Sequence, residues 1–355
     1  MEIKVTKNTN LKQKPKDNEL VFGKYFTDHM FVMDYNEQNG WHNAQILPYG
    51  NISLDPASMI LHYGQEVFEG MKAYRSENDE ILLFRPEKNF ERLNISNDRL
   101  CIPKLDEEFC LKALTKLLEI DKDWVPHDKG TSLYIRPFVI ATQSGLGVHP
   151  AKEYKFIIIC CPVGSYYKEG LNPVKIYVES EYVRAVKGGT GFIKSGGNYA
   201  ASLKGQEKAE KLNYSQVLWL DGRERKYIEE VGAMNVFFKI NGVVVTPSLE
   251  GSILPGITRR SVIEVLKDWG VKVEERKISI DELVSAYENG TLEEAFGSGT
   301  AAVISPIGEF NYQGKIMVVN NGKIGDLSQK LYDYITDIQW GRTQDKFGWV
   351  KHLGF

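Results

Sequence analysis

The sequence predicts a mixed α/β fold of the α+β type, in which hairpins lie beside helices rather than in a strict βαβ series. Residues 105–120 carry apolar side chains at helical spacing, which predicts an amphipathic helix. Residues 234–248, MNVFFKINGVVVTPS, read as two strands joined by a tight Asn241-Gly242 turn. The chain has 355 residues, about twice the length of an ordinary domain, so we expect two domains.

The expected division between the domains follows a buried strand. Residues 154–163, YKFIIICCPV, form a short continuous apolar run that predicts this strand. Residues 164–175 are rich in Gly, Asn and Pro and lack periodicity, which is typical of a connecting segment. We therefore predict a smaller N-terminal α/β domain at 1–163, a linker at 164–175 and a larger C-terminal domain at 176–355.

Further elements are predicted in the second domain. Residues 215–222 read as a strand and residues 257–270 as an amphipathic helix. The spacing of Ser279 and Glu282 is that of a capping box at a helix start. Apolar residues at helical spacing predict a last helix over 327–338.

Composition narrows the class of protein. Hydrophobic residues make up 42% and charged residues 26% of the chain, as in soluble globular proteins. The formal net charge of −3 gives no reason to expect binding to nucleic acid or an anionic membrane. The first twenty residues have no apolar core and contain acids, so they predict a polar arm rather than a signal peptide. The cysteines form no C-x-x-C pair, and a cytoplasmic location is expected.

A single lysine, Lys194, stands in an unusual context. Apolar Phe192 and Ile193 precede it, and Gly196-Gly197 allow the chain to turn closely around another group. Most lysines are solvated surface charges, but this context favours burial. Burial lowers the pKa of a lysine, and the neutral amine can form a Schiff base with an aldehyde. The residue is therefore a candidate nucleophile.

Two small-residue segments are candidates for binding a phosphate of such an aldehyde cofactor. Residues 251–260, GSILPGITRR, end a loop and open a helix, so the amides of Ile257 and Thr258 can face an anion. Residues 296–302, FGSGTAA, read as a second loop, which lacks the following lysine of a nucleotide-binding P-loop. Each segment alone is more typical of a cap or turn; with Lys194 they suggest two sides of one phosphate site.

A buried acid is also expected, because a pyridine ring that withdraws electrons must keep its nitrogen protonated. Glu229 and Glu230 lie between apolar residues just before a predicted strand. Strand alternation aims them in opposite directions, so one of them can point inward. The alternative, that both are solvated loop acids, stays open from the residues alone.

At this point the chain resembles a known family, the branched-chain amino acid aminotransferases, which are fold-type IV enzymes using pyridoxal 5′-phosphate (PLP). The resemblance extends from Phe22 through the last helix. It rests on these segments in this order: LHYGQEVFEGMKAY, LFRPEKNFERL, SLYIRPF, FIKSGGNYAASL, EEVGAMNVFF, ILPGITRRSV and AFGSGTAAVISP. It implies two α/β domains with the cofactor between them, and a homodimer.

The resemblance implies roles for cofactor-binding residues. Lys194 would be the Schiff-base lysine of PLP. Tyr199 would hydrogen-bond the phenolic oxygen of PLP, and Glu230 would pair with its pyridine nitrogen. The remaining contacts would be with the phosphate and the ring face, from Arg92, Leu254, Ile257, Thr258 and Thr300.

The resemblance also implies a substrate pocket. Arg136 would meet a distal carboxylate, and the amides of Thr300 and Ala301 would meet the α-carboxylate. Val148 matches an interdomain-loop residue that reaches across a dimer. The apolar wall would consist of Phe22, Tyr63, Phe68 and Tyr134, for which core packing is the ordinary interpretation without the resemblance.

The implied reaction is ping-pong transfer of the amino group of leucine, isoleucine or valine to 2-oxoglutarate, giving glutamate, or the reverse in amino-acid biosynthesis. Lys194 would first tether the cofactor and then move a proton as general base and acid. Mammalian members carry a redox C-x-x-C where Ala302 and Ser305 stand here, so no thiol switch is expected. Ala233 replaces a Thr of some members and can alter a substrate contact.

Other functions fit the sequence less well. D-amino acid aminotransferases and aminodeoxychorismate lyases share the lysine but match these segments less closely. A non-catalytic PLP store would not need Tyr134, Arg136 and Thr300. The six histidines show no metal-ligand spacing, and G-x-S-x-G is absent, which disfavours a metal hydrolase and a serine hydrolase.

Overall fold

Two nine-stranded sheets organise the chain. The computed structural model describes residues 1–166 and 171–355, so residues 167–170 of the predicted linker lie outside the described part. Up to Val163 the elements are β1 (Lys4–Val5), β2 (His29–Asn36), β3 (Gly40–Pro48), α1 (Met59–Tyr63), β4 (Glu66–Phe68), β5 (Met71–Arg75), β6 (Ile81–Phe84), α2 (Pro86–Arg99), α3 (Glu107–Ile120), β7 (Ser132–Ala141) and β8 (Glu153–Val163).

The second part of the chain contains the remaining strands and helices. They are β9 (Val174–Glu179), α4 (Gly196–Lys211), β10 (Gln216–Leu220), β11 (Ile228–Val231), β12 (Met234–Ile240), β13 (Val243–Thr246), α5 (Ile257–Asp268), β14 (Val273–Glu275), α6 (Ile280–Glu288), β15 (Leu292–Gly299), β16 (Val303–Tyr312), β17 (Lys315–Val318), α7 (Asp326–Gln339) and β18 (Val350–His352). The predicted mixture of hairpins and helices is confirmed.

The described residues separate into two compact units. The first consists of Met1–Tyr166, Lys194–Gly196 and Asp337–Phe355, and the second of Tyr167–Ile193 and Gly197–Thr336. These units differ from the predicted domains, because the first unit extends to Tyr166 and also contains Lys194–Gly196 and the C-terminal Asp337–Phe355. The C-terminal segment belongs there because β18 pairs with β6, and β9 begins at Val174, inside the predicted linker.

The sheet of the first unit has the order β1-β3-β2-β8-β7-β5-β6-β18, with β4 also paired to β7. One face is apolar and shares a buried core with α2 and α3, including Ile135, Cys160, Leu93 and Leu114. Across β7 and β8, Tyr134 stands opposite Cys161, while Ile135 stands opposite Cys160. Because side chains alternate along a strand, Tyr134 and Cys161 lie on the face opposite this core.

The sheet of the second unit has the order β11-β10-β9-β16-β15-β12-β13-β14, with β17 paired to β16. An additional pairing of β11 with β12 closes six of these strands into a ring. At the predicted β12–β13 hairpin, Asn241 and Gly242 both have positive φ (49° and 75°), the geometry of a type I′ turn. This ring fixes β11, which carries the two candidate acids.

Helix ends follow the local chemistry of the chain. α3 begins at Glu107 rather than at residue 105, because the Asp106 side chain accepts a hydrogen bond from the Phe109 amide and caps the helix. The predicted cap at Ser279 is confirmed, since its side chain accepts from the Glu282 amide. The N-terminal polar arm is partly structured: Lys4 and Val5 pair with β3.

Candidate active site

Lys194 lies in the first unit, just before α4. Its backbone amide donates to Ser96 Oγ of α2 at 3.1 Å, and its carbonyl accepts from the Phe68 amide of β4 at 3.0 Å. Its side-chain nitrogen lies 4.8 Å from the centre of the Phe68 ring. A helix and a strand therefore fix the backbone of this lysine from two sides.

Desolvation changes the acid strength of this lysine. Burial, together with the positive charges of Arg92 and Arg136, lowers the pKa of Lys194 to about 8. The charges of Glu69 and Tyr134 act in the opposite direction. A lysine with this pKa has a substantial neutral fraction near pH 8, and the neutral amine is the form that attacks a carbonyl.

Arg92 is held by a carboxylate for which the sequence analysis proposed no role. Its Nε and Nη2 atoms donate to the two carboxylate oxygens of Glu69 at 2.7 and 2.9 Å. Asn89 Nδ2 and the Gly70 amide also donate to Glu69, at 2.8 and 3.2 Å. Asn89 and Arg92 are three residues apart on α2 and so share one face of it. This buried bidentate pair orients the guanidinium.

Aromatic side chains surround a second arginine of the first unit. Arg136 Nη2 donates to the Tyr134 hydroxyl at 3.0 Å, and the guanidinium carbon lies 4.7 Å from the centre of the Phe68 ring. The Phe22 ring meets the Tyr134 ring edge-on at 4.9 Å. Among the described residues, buried Arg136 Nε has no hydrogen-bond partner. A buried donor without a partner is typical of a place where a polar ligand group binds.

Two further predicted pocket residues, Tyr63 and Val148, lie on or beside a loop. The Tyr63 hydroxyl donates to the carbonyl of Leu146, and Val148 of the same loop is 83% exposed. Within the described part of the chain, the hydrogen bonds and ring contacts of Tyr63 tie it to this loop and to His62 rather than to Arg136. The structure therefore groups Phe22, Phe68, Tyr134 and Arg136, and places Tyr63 with the Val148 loop.

Glu229 and Glu230 are both buried in the second unit, with 6% and 3% of their surface exposed. The alternative that both are solvated loop acids is wrong. Glu230 accepts from the Leu254 amide at 2.8 Å, and its other oxygen lies 3.3 Å from Arg184 Nε. Glu229 accepts from the Ser252 hydroxyl, and burial raises its pKa. Their positions on β11 aim them to opposite sides, as alternation predicts.

Glu230 faces a small cavity of about 20 Å³. The cavity is lined by Arg184, Ile193, Asn198, Tyr199, Ser202, Glu230, Gly232, Ala233 and Leu254. Tyr199 lies in the first turn of α4. Asn198 Nδ2 donates to the carbonyls of Ile193 and Thr190, at 2.9 and 2.8 Å, and so fixes the segment that precedes Lys194. Glu229 lines a different groove, with Ser252 and Lys277.

The predicted helix start at residue 257 is confirmed. α5 begins at Ile257 after Gly256, and both Ile257 and Thr258 are buried. A side chain at Gly256 would place its Cβ 2.0 Å from Asn235 Oδ1, so only glycine allows this approach. Asn235 in turn donates to the Leu254 carbonyl at 2.9 Å, which fixes the loop before the helix.

The second small-residue segment differs from its prediction. Residues 296–299 belong to β15, and only residues 300–302 form a turn. The strand glycines are needed for packing rather than for turning, because a Cβ at Gly297 or Gly299 would lie 2.9 or 3.1 Å from Met234. After the turn that carries Thr300 and Ala301, Val303 has a φ of 62°, which is strained for a β-branched residue.

Three residues of these clusters, Glu69, Arg184 and Glu66, were not among the predicted site residues. Glu69 belongs to the FEGMKA segment, but its partner Arg92 lies twenty-three residues later in the chain. Arg184 gives no local signal. Glu66 accepts from the Gly196 amide next to Lys194, and burial raises its pKa. Each pairing joins segments distant in sequence, so no motif or spacing could have indicated it.

Comparison with known families identifies the chain. The family model described as amino-transferase class IV matches residues 66–310. The chain belongs to the class IV aminotransferases. It is 63% identical to branched-chain-amino-acid aminotransferase 2 of Bacillus subtilis strain 168, covering 99% of this chain and 97% of that protein. It is 57% identical to a probable branched-chain-amino-acid aminotransferase of Staphylococcus aureus strain N315, over 98% and 97%.

Solved structures of this family have the same fold. A crystal structure of the Escherichia coli branched-chain amino acid aminotransferase is 28% identical, with a TM-score of 0.78, and covers 92% of this chain and 99% of that one. The branched-chain amino acid aminotransferase of Thermoproteus uzoniensis with norvaline is 26% identical, with a TM-score of 0.75, covering 92% and 99%. The predicted family, the fold class and the aminotransferase activity are confirmed. Within the described ranges, no helix is long and apolar enough to span a membrane.

Proposed function

We infer that this chain transfers the amino group of leucine, isoleucine or valine to 2-oxoglutarate by a ping-pong mechanism, with PLP as cofactor. Curated relatives 55–63% identical over nearly the whole chain are branched-chain-amino-acid aminotransferases, and neighbouring structures contain PLP or its amine form. The observation that carries the inference is the desolvated Lys194, with a pKa lowered to about 8, among Arg92, Arg136 and Phe68.

The side chains fit the chemistry that PLP requires. The cofactor has an aldehyde, a phosphate and a pyridine nitrogen, and it withdraws electrons from the substrate α-carbon when bound. A neutral amine at Lys194 suits the aldehyde, the oriented guanidinium of Arg92 suits the phosphate, and the buried carboxylate of Glu230 suits a protonated nitrogen. The neighbouring Arg184 Nε lies 3.3 Å from Glu230 and helps to orient its carboxylate.

We propose that the residues named by the family resemblance hold this cofactor. Tyr199, on the cavity that Glu230 lines, donates its hydroxyl to the phenolic oxygen. Leu254 packs on the ring face, and its backbone amide orients the Glu230 carboxylate. The start of α5 and the turn after β15 supply the remaining phosphate contacts, from Ile257, Thr258 and Thr300.

Lys194 acts twice in the proposed mechanism. Its neutral amine would hold PLP through the aldehyde, in a Schiff-base linkage whose formation releases water, and the bound cofactor would supply the electron withdrawal that acidifies the substrate α-carbon. Once displaced by the substrate amine, the amine of Lys194 would act as general base at that carbon and then as general acid. A pKa near 8 suits both steps, because a group that titrates near the working pH gives and takes protons with similar ease.

We propose that substrate side chains lie against the aromatic group of the first unit. Phe22, Phe68 and Tyr134 form an apolar wall for a branched chain, and Arg136 with its unpartnered Nε meets the distal carboxylate of glutamate. The Thr300 and Ala301 amides meet the α-carboxylate.

The assembly and location are also proposals. We propose a cytoplasmic homodimer in which Val148, 83% exposed, contacts the second copy, on the same loop to which Tyr63 is hydrogen-bonded. Residues 1–163 would supply most of the substrate pocket and residues 176–355 most of the PLP contacts, with 164–175 as the linker.

A donor and acceptor screen on the purified protein tests this function. The protein loaded with PLP is incubated with L-leucine, L-valine, L-isoleucine or D-alanine, and 2-oxoglutarate consumption is followed. We expect turnover with the three branched-chain L-amino acids. Turnover with D-alanine alone would assign the chain to D-amino acid aminotransferases, and a yellow protein without turnover would indicate a PLP store.

A further inference from the structure

Two adjacent cysteines of β8 face opposite sides of the first sheet. Cys160 stands opposite Ile135 and is fully buried in the core shared with α2 and α3. Cys161 stands opposite Tyr134, on the face that also carries Arg136. Of these two neighbouring residues, Cys160 therefore lies in the core and Cys161 lies beside the aromatic wall.

The thiol of Cys161 binds a turn of the N-terminal segment. The Gly23 amide donates to Cys161 Sγ at 3.2 Å, and the thiol itself donates to the Pro162 carbonyl at 3.7 Å. The turn is closed by a hydrogen bond from the Lys24 amide to the Val21 carbonyl, and Gly23 has a φ of 73°. Burial raises the pKa of the Cys161 thiol, so it remains neutral and acts as a hydrogen-bond acceptor for the turn.

This turn carries Phe22, the exposed aromatic residue of the proposed wall. Phe22 is 59% exposed, and its ring meets the Tyr134 ring edge-on at 4.9 Å. On the preceding side, Leu20 is buried and its carbonyl lies against Gly164, where a Cβ would come within 2.9 Å. Leu20 therefore fixes the chain two residues before Phe22. The Cys161 sulfur fixes it one residue after Phe22, at Gly23.

We propose that Cys161 is a positioning residue that sets the affinity for apolar substrate side chains, by fixing the turn that holds Phe22 against Tyr134. This inference rests on the proposed function, since it assigns Phe22 to the apolar wall of the substrate pocket. A branched side chain gains its binding energy from close contact with that wall, so a mobile Phe22 weakens leucine binding. Glutamate binds through its distal carboxylate at Arg136 and depends on the wall less.

The first experiment measures the anchor without relying on turnover. Exposed Lys24 gives trypsin a cleavage site within the turn, and native-state cleavage there is followed by mass spectrometry. We expect the Cys161→Ala variant to be cut after Lys24 at least about fivefold faster than wild type, because loss of a hydrogen-bond acceptor destabilises the turn locally. Cys161→Ser keeps an acceptor and should restore protection. Cys160→Ala, its core neighbour, should leave cleavage at Lys24 unchanged.

The second experiment measures selectivity in single half-reactions with leucine and with glutamate. For Cys161→Ala we expect the half-saturating leucine concentration to rise about fivefold, with the maximal rate and the glutamate values within about twofold. Cys161→Ser should recover most of the leucine affinity. Equal shifts for leucine and glutamate, the same leucine shift in Cys160→Ala, or wild-type cleavage at Lys24 in Cys161→Ala would overturn the inference. A wild type that lacks leucine turnover would instead refute the proposed function, and the cleavage result would still test the anchor.

Discussion

The two units differ in the charged side chains that lie near their candidate functional groups, Lys194 in the first unit and Glu230 in the second. In the first unit, Lys194 has two arginines near it, and the carboxylate of Glu69 is already committed to Arg92 through two hydrogen bonds. In the second unit, two adjacent buried carboxylates, Glu229 and Glu230, share the neighbourhood of one arginine, Arg184. One cluster has an excess of cations and the other an excess of carboxylates.

This difference shows what each cluster can do chemically. Surplus positive charge, together with burial, favours the neutral amine of a lysine, and guanidinium groups suit anionic ligands. A surplus of carboxylate oxygens next to a single arginine leaves an anion that can stabilise a protonated ring nitrogen.

Removing the amine of Lys194 should have the largest effect. Because the proposed mechanism moves a proton through this group, Lys194→Ala should slow the leucine half-reaction at least about 10²–10⁴-fold. Borohydride treatment of the wild type should bleach the yellow colour and attach the cofactor to Lys194, as read by peptide mass mapping.

Lys72 provides an internal control for that mapping. Burial lowers its pKa to about 8 as well, so it resembles Lys194 in acidity alone. A label on Lys72, or an unchanged yellow band in Lys194→Ala, would remove Lys194 from the proposed role.

On the carboxylate side, Glu230→Gln should retain the cofactor but slow the half-reaction about 10²-fold, because an amide favours the pyridinium far less than a carboxylate does. Glu229→Gln is the matched control, since an amide oxygen can still accept from Ser252. We expect this control within about threefold of wild type in stopped-flow half-reactions. Equal losses in both variants would show that the carboxylate surplus acts as a whole rather than through Glu230.

Arg136→Met removes one cation of the first cluster and should separate the two substrates. Losing the charged partner of a desolvated carboxylate costs about 2–5 kcal/mol, so the glutamate half-reaction should slow at least about tenfold. The leucine half-reaction should change much less, because an apolar chain gains nothing from the charge. Parallel losses for both amino acids would make Arg136 a structural residue of the aromatic wall.

The smallest effect is a shift in the titration of Lys194, measured by competitive amine labelling in the protein without cofactor. Its labelling should rise with pH and reach half its plateau near pH 8, whereas exposed lysines titrate near 10.5. The Arg136→Met midpoint should move upward, because the arginine charge lowers this pKa.

The lowered pKa also makes stability depend on pH. On raising the pH, Lys194 loses its proton in the folded protein before it does so in the unfolded chain, so the free energy of unfolding should rise between about pH 8 and 10.5. A midpoint near 10.5 would contradict the desolvation of Lys194.

Several elements of the fold could be predicted because their signals are local. The Asn241-Gly242 turn, the Ser279 cap and the start of α5 each depend on a few consecutive residues. The FGSG part of residues 296–302 was predicted as a loop and is a strand, because its glycines accommodate Met234, which the sequence pattern does not reveal.

The fold class, the family and the residue types that the chemistry needs could be predicted from the amino-acid sequence, since these depend on periodicity and on motifs of neighbouring residues. Which charged groups meet depends instead on the packing of distant segments. The pairing of Arg92 with Glu69, the burial of both acids on β11 and the anchoring of Gly23 by Cys161 join segments far apart in the chain. Such pairings depend on distance and desolvation, and both arise only when the sheets and helices pack.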